Sequence, residues 1–172
     1  MTVLDRPRAI GLYPNPVFDA LTNLATCLCA QIVADGLPDV CFCGVIPGEA
    51  ASAMYQGDCT KKCGMAWVRL ITVTSASGVG VPNDQPGNCS SGIGYEVEVG
   101  ILRCTPIGTA TTPPAPAQLL GAAEFQYADM MSMRRAVACC VGSKDWMIGG
   151  YTPMGPSGGM VGGAWNVTMW SP

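Results

Sequence analysis

The sequence predicts a single α+β domain in which a central mixed or antiparallel β-sheet is flanked by two long helices, in the order α-β-β-β-α-β-β across residues 1–172. Two long segments, 17–34 and 117–141, repeat apolar residues at helical spacing. Between them, 64–75 and 94–104 alternate with the period of two that marks strands. A chain of 172 residues with 49% hydrophobic content is long and apolar enough to enclose one core, which excludes disorder.

Residues 1–13 read as an extended arm, and Pro14-Asn15-Pro16 punctuates the start of the first helix. Val17, Leu21, Leu24, Leu28 and Ile32 then form one apolar stripe, Asp19 suits the positive end of the helix dipole, and Asp35-Gly36 supplies the stop. Val40 to Ile46 is β-branched and apolar, as in a short buried strand, and the loop after it predicts a helical turn over Glu49 to Tyr55. In the strand from Gly64 to Ser75, strict alternation puts Trp67, Arg69, Ile71 and Val73 on one face and Ala66, Val68, Leu70 and Thr72 on the other. Both faces are largely apolar, so each requires cover, from a helix or from a neighbouring subunit. The glycine-rich stretch 76–93 exceeds an ordinary connection and reads as a projecting loop.

Gly94 to Cys104 alternates Tyr95, Val97, Val99 and Ile101 with Glu96, Glu98 and Gly100, which gives its first half a wet face. A proline-rich connector over 106–116 leads into the second helix, which Pro116 opens without losing a hydrogen bond. Leu120, Ala123, Tyr127, Met130 or Met131, Arg134 and Val137 lie near helical spacing along it, and Gly142 ends it. Two strands, 146–151 and 164–170, close the chain, with 152–163 read as a second projecting loop.

Charge and chemistry exclude several function classes. Only 12% of residues are charged, and the net charge of −3 offers nucleic acid no basic footprint. Histidine is absent, which removes Ser/His/Asp and Cys/His nucleophiles and histidine-bearing zinc sites. The first twenty residues lack an uninterrupted apolar core, so no signal peptide is expected; no run approaches the roughly eighteen apolar residues that span a bilayer, so no membrane partner is expected. The ten cysteines, without a secretion signal, read mostly as reduced core or interface residues, with Cys59 and Cys63 available to cross-link in an extracellular particle. Cys41-x-Cys43 with Cys59-x3-Cys63 departs from the CxxC turns of structural zinc sites, so no metal and no cofactor are expected. The glycines of 158–163 lack the Lys-Ser/Thr of a phosphate loop, and the sequons at Asn88 and Asn166 read as chance matches.

Glu96 and Glu98, about 7 Å apart on one strand face, read as a solvated face rather than an acid/base pair. Arg134 and Arg135 could meet a partner's carboxylate. A small cysteine-dependent enzyme, with Cys59 or Cys63 beside Asp58 and activated by Lys61 or Lys62, is the weaker alternative to a non-enzymatic subunit. Four tryptophans, ten methionines and few charges amount to more apolar surface than one small domain hides, which favours burial against copies of itself or a partner.

Several stretches carry a family resemblance: Asp58-Cys59 running into Gly64-Met65-Ala66-Trp67-Val68-Arg69; Val97-Glu98-Val99-Gly100-Ile101-Leu102-Arg103-Cys104; the proline-rich connector with its long helix; and Gly155-Pro156, Gly158-Gly159 and Gly162-Gly163-Ala164-Trp165-Asn166-Val167-Thr168. Over roughly residues 14 to 170 the chain resembles the tail terminator and neck proteins of long-tailed actinobacterial phages. It departs at Met160, where relatives are expected to carry cysteine. The resemblance implies a hexameric ring that caps the head-proximal end of a tail tube, ends its growth and joins the tail to the head connector or stopper. Tail tube protein, connector and further copies of the chain would be the partners, DNA would pass through the lumen unbound, and the protein would be assembled in the host cytoplasm into the tail or neck of the virion. Trp67, Arg69, Arg103, Arg134, Arg135 and Trp165 are the interface candidates, and Glu96 and Glu98 the acidic lumen candidates. Another neck ring or a tail tube subunit is the alternative within that class.

Overall fold

The computed structural model describes residues 16–48, 63–75, 93–106, 108, 112–140, 146–157 and 159–171. The expected arm over 1–13, the turn over 49–55, the loop over 76–92, Cys59, Cys89 and residues 107 and 109–111 of the connector lie outside these residues. The order is α1 (Pro16–Ala34), β1 (Phe42–Val45), β2 (Met65–Ser75), β3 (Ile93–Cys104), α2 (Pro116–Cys140), β4 (Trp146–Ser157) and β5 (Met160–Ser171), an α+β chain in the expected sequence of elements. The five strands form one mixed sheet, β1-β2-β3-β5-β4. β1 runs parallel to β2, and the other neighbours are antiparallel.

Helix α1 ends as Asp35-Gly36 predicts. Gly36 takes a positive φ of 66°, and Leu37 N–H donates to the Ile32 carbonyl at 3.1 Å, satisfying a carbonyl that the last turn would leave open. At the start of α2, the Gln118 side chain accepts from the Ala115 amide at 3.0 Å, and Pro116 needs no partner for a donor it lacks. The α1 window Val17–Ala34, with a mean hydropathy of 1.5, is long and apolar enough to cross a membrane. Here Leu21, Leu24, Leu28 and Ile32 instead pack against the sheet.

Both helices that flank the sheet lie on the same face of it. Their stripes meet Ala66, Val68, Tyr95, Val97, Val99, Ile101, Val167 and Met169 in one core. The opposite face carries a smaller cluster of Ile46, Met65, Trp67, Leu102 and Ala164.

Strict alternation along β2 also fails at one point. A bulge between Leu70 and Thr72 shifts the register, so Thr72 falls opposite Glu96 and Val73 opposite Tyr95. Val73 therefore joins the helix-side face and Thr72 the other, the reverse of the expected assignment.

The second projecting loop is likewise absent. Residues 152–157 and 160–163 belong to a long hairpin in which Thr152 is opposite Ala164, Met154 opposite Gly162, and Ser157 opposite Met160. Pro153 and Pro156 concealed the strand from sequence reading, but β4 is the sheet edge, where a missing N–H is tolerated. Glycine at 162 has a packing reason: a β-carbon there would overlap the backbone carbonyl of Ile101 on β3.

Cysteine chemistry differs most from expectation. Cys29 on α1 is bonded to Cys43 on β1, and Cys63, just before β2, is bonded to Cys104 at the end of β3. Cys27 and Cys41 are also in disulfides, while Cys139 is a free, exposed thiol. The expectation of mostly reduced cysteines rested on composition and the missing secretion signal. It could not foresee that the fold brings distant thiols to Cα separations of 5.9 and 5.6 Å, within disulfide reach. Cys43 and Cys63 are thereby also unavailable to a four-thiolate metal site.

Candidate functional site

Pairing of β2 with β3 sets Arg69 opposite Glu98 and Trp67 opposite Gly100 on the helix-free face. The Arg69 guanidinium donates from Nε to Glu98 Oε1 at 2.7 Å and from Nη2 to Oε2 at 2.9 Å, a two-pronged ion pair. Trp67 Nε1 adds a third hydrogen bond to Glu98 Oε1 at 2.8 Å. The indole has room because position 100 is glycine; a β-carbon there would overlap its six-membered ring. Glu98 is buried and Trp67 fully buried, so this cluster is internal.

On the helix side, Arg103 reaches from β3 to Asp129 on α2. Nε and Nη2 donate to the two carboxylate oxygens at 2.6 and 2.8 Å, and Nη1 donates to the Pro38 carbonyl at 2.7 Å. Both side chains are buried. Burial pushes the Asp129 carboxyl above its ordinary value, and the Arg103 guanidinium opposes that rise. A third pair joins the helices, with Arg135 Nη2 donating to Asp35 Oδ2 at 2.7 Å. Burial raises the Asp35 carboxyl, but hydrogen bonds from Arg135 and Gln31 outweigh it and leave it below its ordinary value.

These contacts correct most of the interface candidates. Trp67 is wholly inside the core, Arg103 is committed to Asp129 and Pro38, and Arg69 to Glu98. Trp165 packs toward α2 and donates from Nε1 to the Met130 carbonyl at 3.0 Å. Arg135 is exposed but paired within the chain; Arg134 is exposed and, among the described residues, is the one cation without an ionic partner. The acidic candidates separate too. Glu98 is neutralised by Arg69 and offers no free charge, whereas Glu96 is half-buried on the same face opposite Thr72 and Thr168.

Helix α2 presents the remaining feature. The spacing read as its apolar stripe includes Leu120, Tyr127 and Met131, and these point outward; Leu120 and Tyr127 are each 63% exposed. The buried side holds Asp129, Ser132, Met133, Ala136 and Val137. An apolar stripe thus runs opposite the core; Leu119 and Phe125 are exposed as well, Phe125 one turn before Asp129 on the other side of the helix. Asp129 escaped sequence reading, although a lone carboxylate in register with Met133 and Val137 signals a buried cationic partner. Arg103, the only charge on the second half of β3, is that partner.

No described cluster of three or more His, Cys, Asp or Glu side chains could hold a metal ion. In the Arg69–Glu98 and Arg103–Asp129 pairs both carboxylates are taken up by guanidinium donors. The arrangement is that of a two-layer α+β scaffold with two ion pairs taken up inside it and an outer helix face on which Leu120, Tyr127 and Met131 lie beside the exposed Glu124 and Arg134. No protein-family model matches the chain, and no curated protein matches it.

Proposed function

We propose that the protein is a structural virion subunit that assembles with copies of itself into a ring, a hexamer capping the head-proximal end of a phage tail tube and joining the tail to the head connector. The observation that carries this reading is the outward stripe of Leu120, Tyr127 and Met131 on α2. Three large apolar side chains in one row, on a helix whose other side already fills the core, are stabilised by burial against another subunit. The family resemblance supplies the ring, and its matched stretches coincide with β2, β3 and β5, the scaffold strands. The helix-free face supports a lumen wall: Thr72, Glu96, Asn166 and Thr168 are polar, at least partly exposed, and bear one net negative charge that DNA would not adhere to.

Native mass measurement and negative-stain imaging of the purified chain test the reading. Six copies of the 17.8 kDa chain give closed rings of about 107 kDa. Combined L120S, Y127S and M131S substitutions are expected to return a folded monomer. A monomeric unsubstituted chain refutes self-assembly, and open-ended tubes replace the terminator with a tube subunit.

A further inference from the structure

We propose that α2 pairs antiparallel with α2 of a second copy of this chain, about a two-fold axis that passes close to position 129. The inference rests on the reading of the outward stripe as a contact between copies, and not on the ring.

Six residues of α2 are exposed at intervals of four, three, four, three and four: Leu120, Glu124, Tyr127, Met131, Arg134 and Ala138. That alternation is the a/d seam of a helix that winds against another, and at about 100° per residue the six fall within an arc of about 80°. Asp129, Met133 and Ala136 occupy the opposite side of the helix, in the core. Neither Glu124 nor Arg134 has an ion-pair partner among the described residues.

The order of side chains along the seam is complementary to itself when reversed. Tyr127 and Met131 lie equally far from position 129, as do Glu124 and Arg134, and Leu120 and Ala138. An antiparallel copy centred there sets Tyr127 against Met131 of the second copy, Glu124 against its Arg134, and the large Leu120 against its small Ala138. The two-fold axis then repeats each contact. A parallel copy in register sets glutamate against glutamate and arginine against arginine, so the charges select the antiparallel arrangement. Gly121, Ala123 and Ala128 border the seam, and such small side chains allow the two helix axes a close approach. A two-fold contact joins two copies and no more, so a six-membered assembly that contains it holds three such pairs.

Sedimentation velocity of the full chain over a concentration series tests the proposal, with denaturation midpoints as the check on folding. The unsubstituted chain is expected to form pairs of about 36 kDa, twice the 17.8 kDa chain, or multiples of them. Glu124→Arg and Arg134→Glu each set like charges together at both ends of the seam. Each is expected to weaken pairing about tenfold or more, with the midpoint unchanged. The exchange E124R/R134E restores opposite charges and is expected to bring the dissociation constant back to within about threefold of the unsubstituted value. Mixing the two single variants is expected to give pairs that neither forms alone. The proposal is overturned if the single variants pair as tightly as the unsubstituted chain, or if E124R/R134E pairs no more tightly than they do. Rings of six that fail this charge exchange overturn the two-fold pairing and leave the ring standing. Pairs that pass it and never close into rings support the pairing and overturn the ring.

Discussion

Removing the Asp129 carboxylate tests how the helix layer is joined to the sheet. Asp129 is 1% exposed, and its two oxygens take the Arg103 Nε and Nη2 donors at 2.6 and 2.8 Å. Substituting leucine leaves Arg103 only the Pro38 carbonyl, so a buried guanidinium keeps its charge with most of its donors unmet. Breaking a buried pair in this way costs about 3–5 kcal/mol. Replacing both partners by apolar residues removes the stranded charge, so R103M/D129L is expected to recover most of that loss. Asparagine separates the acceptor from the charge. Burial already raises the Asp129 carboxyl above its ordinary value, which means that the ionised form gains little from its surroundings. D129N keeps one acceptor for the guanidinium and is therefore expected to cost less than half of what D129L costs. Urea denaturation followed by tryptophan fluorescence reads all three, since Trp67 and Trp165 both lie in packed surroundings. A D129L cost below about 1 kcal/mol, or a double variant no more stable than D129L, refutes the reasoning.

Two further substitutions probe the other clusters. Gly100→Ala drives a methyl group into the Trp67 ring, which is held from behind by its bond to Glu98; a loss of about 1–3 kcal/mol is expected, together with a changed near-UV circular dichroism signal, and G100A/W67L is expected to recover part of it. Asp35→Asn is expected to cost less than about 1 kcal/mol at neutral pH, because the Arg135 partner is partly exposed. The folded-state value of Asp35 is depressed, so its contribution is present above the ordinary 3.8 and lost as pH falls through the lowered value. Denaturation midpoints measured down through that window should fall more steeply for the unsubstituted chain than for D35N.

Legibility in the sequence followed the strength of local periodicity. Helix α1 was plain because Leu21, Leu24, Leu28 and Ile32 recur without a competing stripe and Gly36 ends the pattern. Helix α2 was plain as a helix but not in its orientation. Leu120, Tyr127 and Met131 outrank Ser132, Met133 and Ala136 in hydrophobicity, yet the less apolar row faces the core because Arg103 requires Asp129 there. Both strands of the β4–β5 hairpin were legible over 146–151 and 164–170, but its outer half was hidden by Pro153 and Pro156, which read as loop unless the strand is known to be an edge. For Glu98, composition of the strand suggested a wet face, and only the register that sets Arg69 opposite reveals the pair. The disulfides join residues 14 and 41 positions apart and depend on which elements become neighbours, which one sequence does not state.

Pairing of the charges bears on assembly. A low-charge protein that kept its cations at the surface would carry solvated groups between its apolar patches. Here Arg69 and Arg103 turn inward and Arg135 binds Asp35 across the helices, leaving Arg134 as the described cation with no ionic partner. Arg134 lies one helical turn beyond Met131 in the outward stripe, so Leu120, Tyr127, Met131 and Arg134 share one face of α2. Glu124, exposed between Leu120 and Tyr127 on the same face, and Arg134 at its end give the row both a burial requirement and an orientation: the complementary surface must supply apolar contact to Leu120, Tyr127 and Met131, a cation or N–H donor opposite Glu124, and a carboxylate or carbonyl opposite Arg134. Such a surface specifies its partner's register as well as its presence. Arg134→Glu therefore should disturb the ordering of subunits more than the stability of each one, a separation that ring images and denaturation midpoints of the same variant can measure.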